Sequence, residues 1–401
     1  MKILMLTPYL PYPPSSGGQV RSYNLIKHLS KKHKIYLVSL IKNSSEEKYV
    51  SHLKKYCQEI YVCQRSESPW TLKNIFLSLF GRFPFLVVRN FSADARNKIT
   101  ELIKQNEFDL IHAETFYIMP HIPQTSIPIL LVEQTIEYRV YQHYVNNLRF
   151  KFLKPLFYFD IIKLKFWEKT FWKRANVVGA VSDQDKKNMR ALLPNLKIEI
   201  IPNAAGEDLF NSYTESKKIK PVFLYQGNFS WLQNIEAAQI LARKVFPKIK
   251  EQIPEAICVI AGQNARSKIG PLEKISGVQV IDIDPSSTKK VQEIFKKAAI
   301  FLAPIEGPGG TRLKILAAMA AGLPVISSPT GVAGLSVVDG IHVLTAKNED
   351  EFVKKAAFIL KNPKLYSEIR RNARKLIIEK YSWSKVAADL EQTYLKVRKE
   401  R

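Results

Sequence analysis

Residues 305 to 314, Ile-Glu-Gly-Pro-Gly-Gly-Thr-Arg-Leu-Lys, set glycines, a hydroxyl and two cations directly ahead of an apolar helical pattern. Gly309 and Gly310 let backbone approach an anion closely. Amides 309 to 311 at the helix start would offer unpaired N–H groups at its positive dipole end. Arg312 and Lys314 would add two charges fit for a diphosphate, and Thr311 a hydroxyl donor. The same residues can also form a tight strand-to-helix turn with two surface cations. A second glycine pair lies in Pro13-Pro14-Ser15-Ser16-Gly17-Gly18-Gln19-Val20-Arg21, with Arg21 one turn into the helix that follows. Gly17 and Gly18 again permit close approach to a ligand. This is not a G-x-G-x-x-G pattern, and no acidic residue ends the next strand, so a nicotinamide dinucleotide lacks its ribose partner.

Both loops need a scaffold that ends strands at one edge. Residues 2–7 form a short apolar run, 20–32 a helical pattern and 34–40 a second strand, which reads as β-loop-α-β. Strand candidates continue at 59–63, 110–114, 128–133, 177–182 and 198–203. After the polar stretch 203–220 the pattern restarts, with strands within 221–229, 256–262, 278–284, 299–305 and 323–329 and an amphipathic helix over 234–252. The expectation is an α/β protein of two Rossmann-like halves, each with a parallel sheet. Ligands of such sheets sit beyond the carboxyl ends of the strands, where both glycine loops fall.

A chain of 401 residues with 46% hydrophobic content and 11% aromatics can build two well-packed cores. Three scattered cysteines, Cys57, Cys63 and Cys258, form no disulfide framework and no metal-type spacing, which points to a reducing compartment. The N-terminal apolar run ends at Pro8, too short for a signal peptide, and the apolar stretch 74–88 is broken by Arg82 and Pro84. A cytoplasmic protein without a membrane span is expected. The formal charge of +25 fits phosphorylated small molecules, an anionic membrane face or a lysine-rich solvated surface. No nucleic-acid partner is expected, because no zinc finger, RNP-type strand or arginine-rich tail is present. The patterns G-x-x-x-x-G-K-[ST], G-x-S-x-G and H-E-x-x-H are missing too.

The order of these motifs resembles retaining GT-B glycosyltransferases of the family 4 type, above all the sugar transferases of exopolysaccharide and surface-glycan systems. The resemblance runs through residues 11–40, "FDLIHAE", "ANVVGAVSDQD", "IPNAAGEDLF", "QGNFSWLQNIEAAQIL", "AICVIAG", residues 309–335 and "YSWSKVAADLEQTY". It implies two Rossmann-like domains facing across a cleft. Residues 1–203 would bind the acceptor and 204–381 a nucleotide-diphospho sugar, with UDP or GDP as the expected nucleotide. A C-terminal helix, about 382–401, would cross back to the first domain. It further implies retention of anomeric configuration, no metal and no cofactor beyond the sugar-nucleotide substrate. Gly17 and Gly18 would approach donor phosphate and acceptor, with Arg21 on the acceptor side.

Three departures from the family pattern matter. Two glutamates separated by seven residues are usual; their positions here are Gly309 and Ala317, and Glu306 is displaced by three residues from the first. The basic pair expected after the strand opening the second half is replaced by Gly227, Asn228 and Asn234, so diphosphate charge would shift to Arg312 and Lys314. The resemblance also implies a histidine near the donor sugar within His-Asn-x-Glu. The chain reads Gln134-Thr135-Ile136-Glu137, leaving Glu137 as a catalytic candidate or a plain surface carboxylate, and Gln134 in the histidine's place. The expected function is sugar transfer to a glycan or lipid-linked acceptor in surface polysaccharide synthesis. A catalytically degenerate binding protein and a nucleotide-sugar epimerase remain as alternatives. Segment 148–174 holds eight Lys or Arg, two acids and nine aromatics. It reads as a contact to an anionic membrane surface, hence a peripheral position on the inner face, or as an aromatic stripe packed on the first domain.

Overall fold

The computed structural model describes residues 1–148, 150–206, 209–210, 220–284, 287–307 and 311–399. The chain divides into two compact units, Met1–Pro202 with Val386–Arg401, and Asn203–Lys385.

The first unit holds seven parallel strands: β1 (Lys2–Thr7), β2 (Lys34–Ile41), β3 (Glu59–Gln64), β4 (Leu110–Glu114), β5 (Ile129–Glu133), β6 (Val177–Ala180) and β7 (Ile198–Ile200). Their order is β3-β2-β1-β4-β5-β6-β7. Helices cover both faces of such a sheet, so its strands are apolar without alternation. Accordingly Ile3, Leu4, Met5 and Leu6 of β1 are all buried. The strand order reverses between β1 and β4, which pair with Ile3 opposite Leu110. Past that reversal the chain leaves β1 into the Pro-rich loop and enters the helix Gly17–Leu29. Ser16 caps this helix by accepting from the Gln19 amide. Gln19 in turn accepts from the Ser15 and Ser16 hydroxyls and donates to the Leu10 carbonyl at 2.9 Å, which folds the Pro-rich loop back on the helix start. The last stretch of chain is tied in by Tyr394 on His112, by Lys396 on Glu199 and by Arg398 on Asp109.

The second unit repeats the scheme with β8 (Val222–Gln226), β9 (Ile257–Gly262), β10 (Val278–Asp282), β11 (Ile300–Ala303), β12 (Val325–Ser327) and β13 (Leu344–Thr345), all parallel, in the order β10-β9-β8-β11-β12-β13. The reversal here lies between β8 and β11, with Phe223 opposite Ile300. The two-residue β13 has no counterpart among the sequence-derived strands, being too short to carry a periodicity. The helix expected over 234–252 is three pieces: Leu232–Ile240, a π turn at Leu241–Val245 and Phe246–Gln252. Pro247, which has no amide proton to donate, sits at the head of the last piece and explains the break in regular hydrogen bonding.

Candidate active site

In the second unit the two loops leaving the switch point meet. The loop after β11 leads through Thr311 to the helix Leu313–Ala320, with Arg312 as its N-cap residue. Thr311 is buried, and its hydroxyl accepts from the Asn203 side chain at 3.0 Å. In the first turn of the helix, the Lys314 ammonium lies 4.8 Å from the centre of the Tyr225 ring near the end of β8. It donates to the Tyr225 hydroxyl at 3.2 Å and to Asn234 Oδ1. Asn234 is itself held by a 2.6 Å bond from its amide to the Asn228 carbonyl, and the Asn228 amide reaches Gln263 at 2.9 Å.

Lys314 therefore has neutral partners, and no carboxylate forms an ion pair with it among the described residues. Burial pushes its pKa well below 10.5, and the neighbouring Arg312 guanidinium adds to that depression. An enclosed ammonium with only neutral partners is costly without an anion beside it. Arg312 donates to the Gly307 carbonyl, which keeps the second cation close by. Backbone crowding shapes the floor. A Cβ built on Gly262 would fall 1.7 Å from the Gly227 carbonyl oxygen, and one on Gly227 would come within 3.0 Å of both Asn234 and the Lys314 ammonium. Only glycine fits at either position, because the β8 and β9 loops and the Lys314 ammonium already fill the place a side chain would take. Gly309 and Gly310 lie outside the described residues. Glu306 is exposed in the loop after β11, while Ala317 packs against the core of the unit.

In the first unit the switch point carries a polar chain of bonds. Gln134, after β5, donates from its amide both to the Tyr9 hydroxyl at 2.7 Å and to Glu114 Oε2 at 2.7 Å. Glu114 and Arg21 are both fully buried, 3.6 Å apart, and Arg21 also donates to the Pro202 carbonyl at 2.9 Å. His112 bridges Glu114 Oε1 at 3.1 Å and the hydroxyl of Tyr394 on the C-terminal helix. Burial by itself would raise the Glu114 pKa, but Arg21, His112 and Gln134 outweigh it and hold the carboxyl below 4.5. Arg21, expected on the acceptor side, has an enclosed side chain set against the Glu114 carboxylate and the Pro202 carbonyl. Gln134 is likewise engaged by Tyr9 and Glu114. Tyr9 and Glu114 escaped the sequence reading, for a tyrosine in a Pro-rich loop and a strand-end glutamate carry no pattern of their own. Tyr225 was missed for a related reason, as one aromatic in an apolar strand.

Gly17 is exposed and Gly18 lies under Tyr9; a Cβ on Gly18 would sit 2.2 Å from the Tyr9 hydroxyl. Inside a helix, Gly→Ala ordinarily gains about 0.5–1 kcal/mol. Here the whole Tyr9 ring must move off Gln134, and a partner left unsatisfied in a buried place costs about 1–3 kcal/mol, which outweighs that gain. Gly18→Ala is thus expected to lower the thermal midpoint, and a raised midpoint in differential scanning calorimetry would refute the Tyr9 contact. Glu137 begins the helix Glu137–Asn146, where its amide and that of Tyr138 donate to the buried Glu168 at 2.7 and 3.2 Å. Burial raises the Glu137 pKa to about 7, with Arg89 opposing. It is not a plain solvated carboxylate, and it stands with Glu168 and Glu133 in a group of crowded acids.

Two domain models match the chain, one per half: Glycosyltransferase Family 4 over residues 15–205 and Glycosyl transferases group 1 over 220–362. With two parallel sheets, one ordered 3-2-1-4-5-6-7 and one 3-2-1-4-5-6, these matches define a GT-B glycosyltransferase fold of the family 4/group 1 type, and the matched domains support a transferase. An uncharacterized 44.6 kDa protein in the cps region of Klebsiella pneumoniae is 23% identical over 97% of this chain and 98% of its own length. Among solved structures, sucrose-phosphate synthase from Thermosynechococcus elongatus superposes with a TM-score of 0.71 at 15% identity, covering 100% of both chains. Anabaena HepE in complex with UDP-glucose gives 0.65 at 13% identity over 99% of this chain and 100% of its own.

Proposed function

We propose that the protein transfers a sugar from a nucleotide-diphospho sugar to a glycan or lipid-linked acceptor, without a metal and with retention, in the making of a surface polysaccharide. The observation that carries this is Lys314: an enclosed ammonium with no carboxylate to pair with among the described residues, at the strand-order reversal where α/β sheets bind ligands. A diphosphate supplies the missing counter-charge. The second unit holds the donor, and UDP is favoured because HepE, a fold relative, is seen with UDP-glucose. The first unit holds the acceptor, and the cps-region relative is the reason for placing the product among surface glycans.

In a retaining transfer of this kind the acceptor hydroxyl attacks carbon 1 on the face from which the diphosphate departs. The C–O bond to phosphate breaks, the new glycosidic bond forms, and the hydroxyl proton passes to the departing phosphate oxygen. Lys314 and Arg312 stabilise the charge that develops on that diphosphate. No protein nucleophile enters, so the alanine at 317 and the glycine at 309 remove a nucleotide contact without removing the chemistry.

Thermal-shift titration with UDP, GDP, CMP and dTDP, and with their sugar derivatives, tests the reading. UDP compounds are expected to raise the midpoint of the wild type, and Arg312→Ala to reduce the shift. A shift that survives Arg312→Ala at full size moves the phosphate elsewhere. A flat response to every nucleotide makes the protein a catalytically degenerate relative. Turnover to a second sugar nucleotide with no acceptor present would make it an epimerase.

A further inference from the structure

The helix Leu72–Phe80 is built inside out. Its buried residues are Asn74 and Ser78, whereas Leu72, Phe76, Leu77 and Phe80 face solvent, Leu72 at 87% and Phe80 at 76% exposure. The arrangement is anchored. Asp160 accepts from the Ser78 hydroxyl at 2.9 Å and from the Phe85 amide at 2.8 Å, Lys163 donates to the Gly81 carbonyl at 2.7 Å, and the Trp167 indole donates to the Arg82 carbonyl at 2.7 Å. These bonds fasten the short helix and the turn after it to the long helix Lys154–Arg174.

The long helix has two apolar faces. Ile161, Leu164, Phe171 and Trp172 are buried in the unit. Leu156, Phe159, Ile162 and Phe166, three to four residues apart and so in one stripe, are exposed, and Phe152 just ahead of the helix is 77% exposed. The two helices together leave a patch of leucine and phenylalanine uncovered, which water tolerates poorly. Charge says what covers it. Residues 70–91 contain no Asp or Glu, and the two acids of 148–174 are both turned inward, Asp160 to Ser78 and Glu168 to the Glu137 and Tyr138 amides. The same two helices and the turn after the short one carry Lys73, Arg82, Lys165, Lys169 and Lys173, all but the half-buried Lys169 exposed. Among the described residues no helix is long and apolar enough to cross a membrane.

We propose that this two-helix face docks the first unit onto an anionic lipid bilayer, with the leucines and phenylalanines entering the acyl–headgroup boundary and the lysines on lipid phosphates. An anionic bilayer meets exposed aromatics and scattered lysines without the shape complementarity that a protein partner would need. The surface goes beyond the transfer reaction and stands whether or not the donor site is as argued above.

Co-sedimentation of the full chain with phosphatidylglycerol-containing vesicles, against pure phosphatidylcholine vesicles, tests it. The wild type is expected to bind the former and not the latter, with binding weakened by salt. Phe76→Ser/Phe80→Ser/Phe159→Ser/Ile162→Ser should abolish binding while leaving the thermal midpoint and the nucleotide shift unchanged. Lys169→Glu/Lys173→Glu, which leaves every apolar side chain in place, should lower partitioning roughly 10-fold or more and decides the matter if the serine variant misfolds. Equal binding to neutral vesicles, no binding to either, or undiminished binding by both variants overturns the proposal. A dimer in size-exclusion chromatography that the serine substitutions dissolve assigns the face to self-association instead.

Discussion

Replacing Lys314 by methionine is expected to lower kcat/KM for the sugar donor about 10²–10³-fold, the usual loss when one preorganised stabiliser of developing charge is removed. The same variant should fold at least as stably as the wild type in the absence of ligand. Methionine keeps much of the side-chain volume and removes an enclosed charge that only neutral groups attend. Loss of turnover together with a retained or raised thermal midpoint separates a binding cation from a structural one. Stopped assays of sugar transfer and a melting curve measure the two quantities. Turnover unchanged within a factor of two would end the assignment.

The protonation of Lys314 supplies a second signature of the same variant. Its pKa in the free protein lies well below 10.5 because of burial and of Arg312. A bound diphosphate opposes both effects and draws the proton back, so nucleotide affinity should fall as pH rises through the free-protein value. The sign for stability is the reverse. Between that value and 10.5 the unfolded chain binds more protons than the folded one, so ligand-free stability rises with pH across this window. Lys314→Met should lose both dependences, readable by isothermal titration and by denaturant unfolding at several alkaline pH values.

Glu114→Ala is expected to destabilise the first unit by about 3–5 kcal/mol, because it leaves Arg21 buried and without its carboxylate. Urea unfolding followed by the tryptophans of that unit measures the loss; a cost under about 1 kcal/mol would mean that Arg21 finds solvent or another partner. The Glu114 carboxyl is held below its ordinary 4.5 by Arg21, His112 and Gln134 against the opposing effect of burial. Its contribution is therefore complete above pH 4.5 and lost as pH falls through the lowered folded value. Glu114→Gln, which keeps the shape and some hydrogen bonds, should show a smaller cost and a weaker acid dependence. Because two units unfold, the loss is read from the transition assigned to the first of them rather than from a single global midpoint.

Much of the scaffold was legible because a doubly wound fold writes itself in local terms. Uninterrupted runs such as Ile3 to Leu6 mark strands buried on both faces, and Gly or Pro clusters mark the loops that leave them. The glycine loops were legible for the same reason, since close backbone approach requires a residue without a side chain. Arg312 and Lys314 stood out as cations after such a loop. What could not be read was the company each kept. Arg21 looks like a surface cation one turn into an amphipathic helix, yet packing sets it against Glu114, whose position 93 residues further on has no local relation to it. The helix at 72–80 misleads in the opposite direction, for its apolar side points outward and its asparagine and serine point in.

By itself the sequence determined two parallel sheets with close-approach loops at their strand ends, because strand burial and turn chemistry depend on residues a few positions apart. The tertiary structure decided the electrostatic state of the site. It set Lys314 among the neutral groups of Tyr225 and Asn234, joined Tyr9, Gln134, Glu114 and His112 into one bonded chain, and raised the Glu137 pKa by burial. A charge is fixed by what lies within a few ångströms of it in a dry interior, and those neighbours come from strands and loops that only the folded sheet brings together.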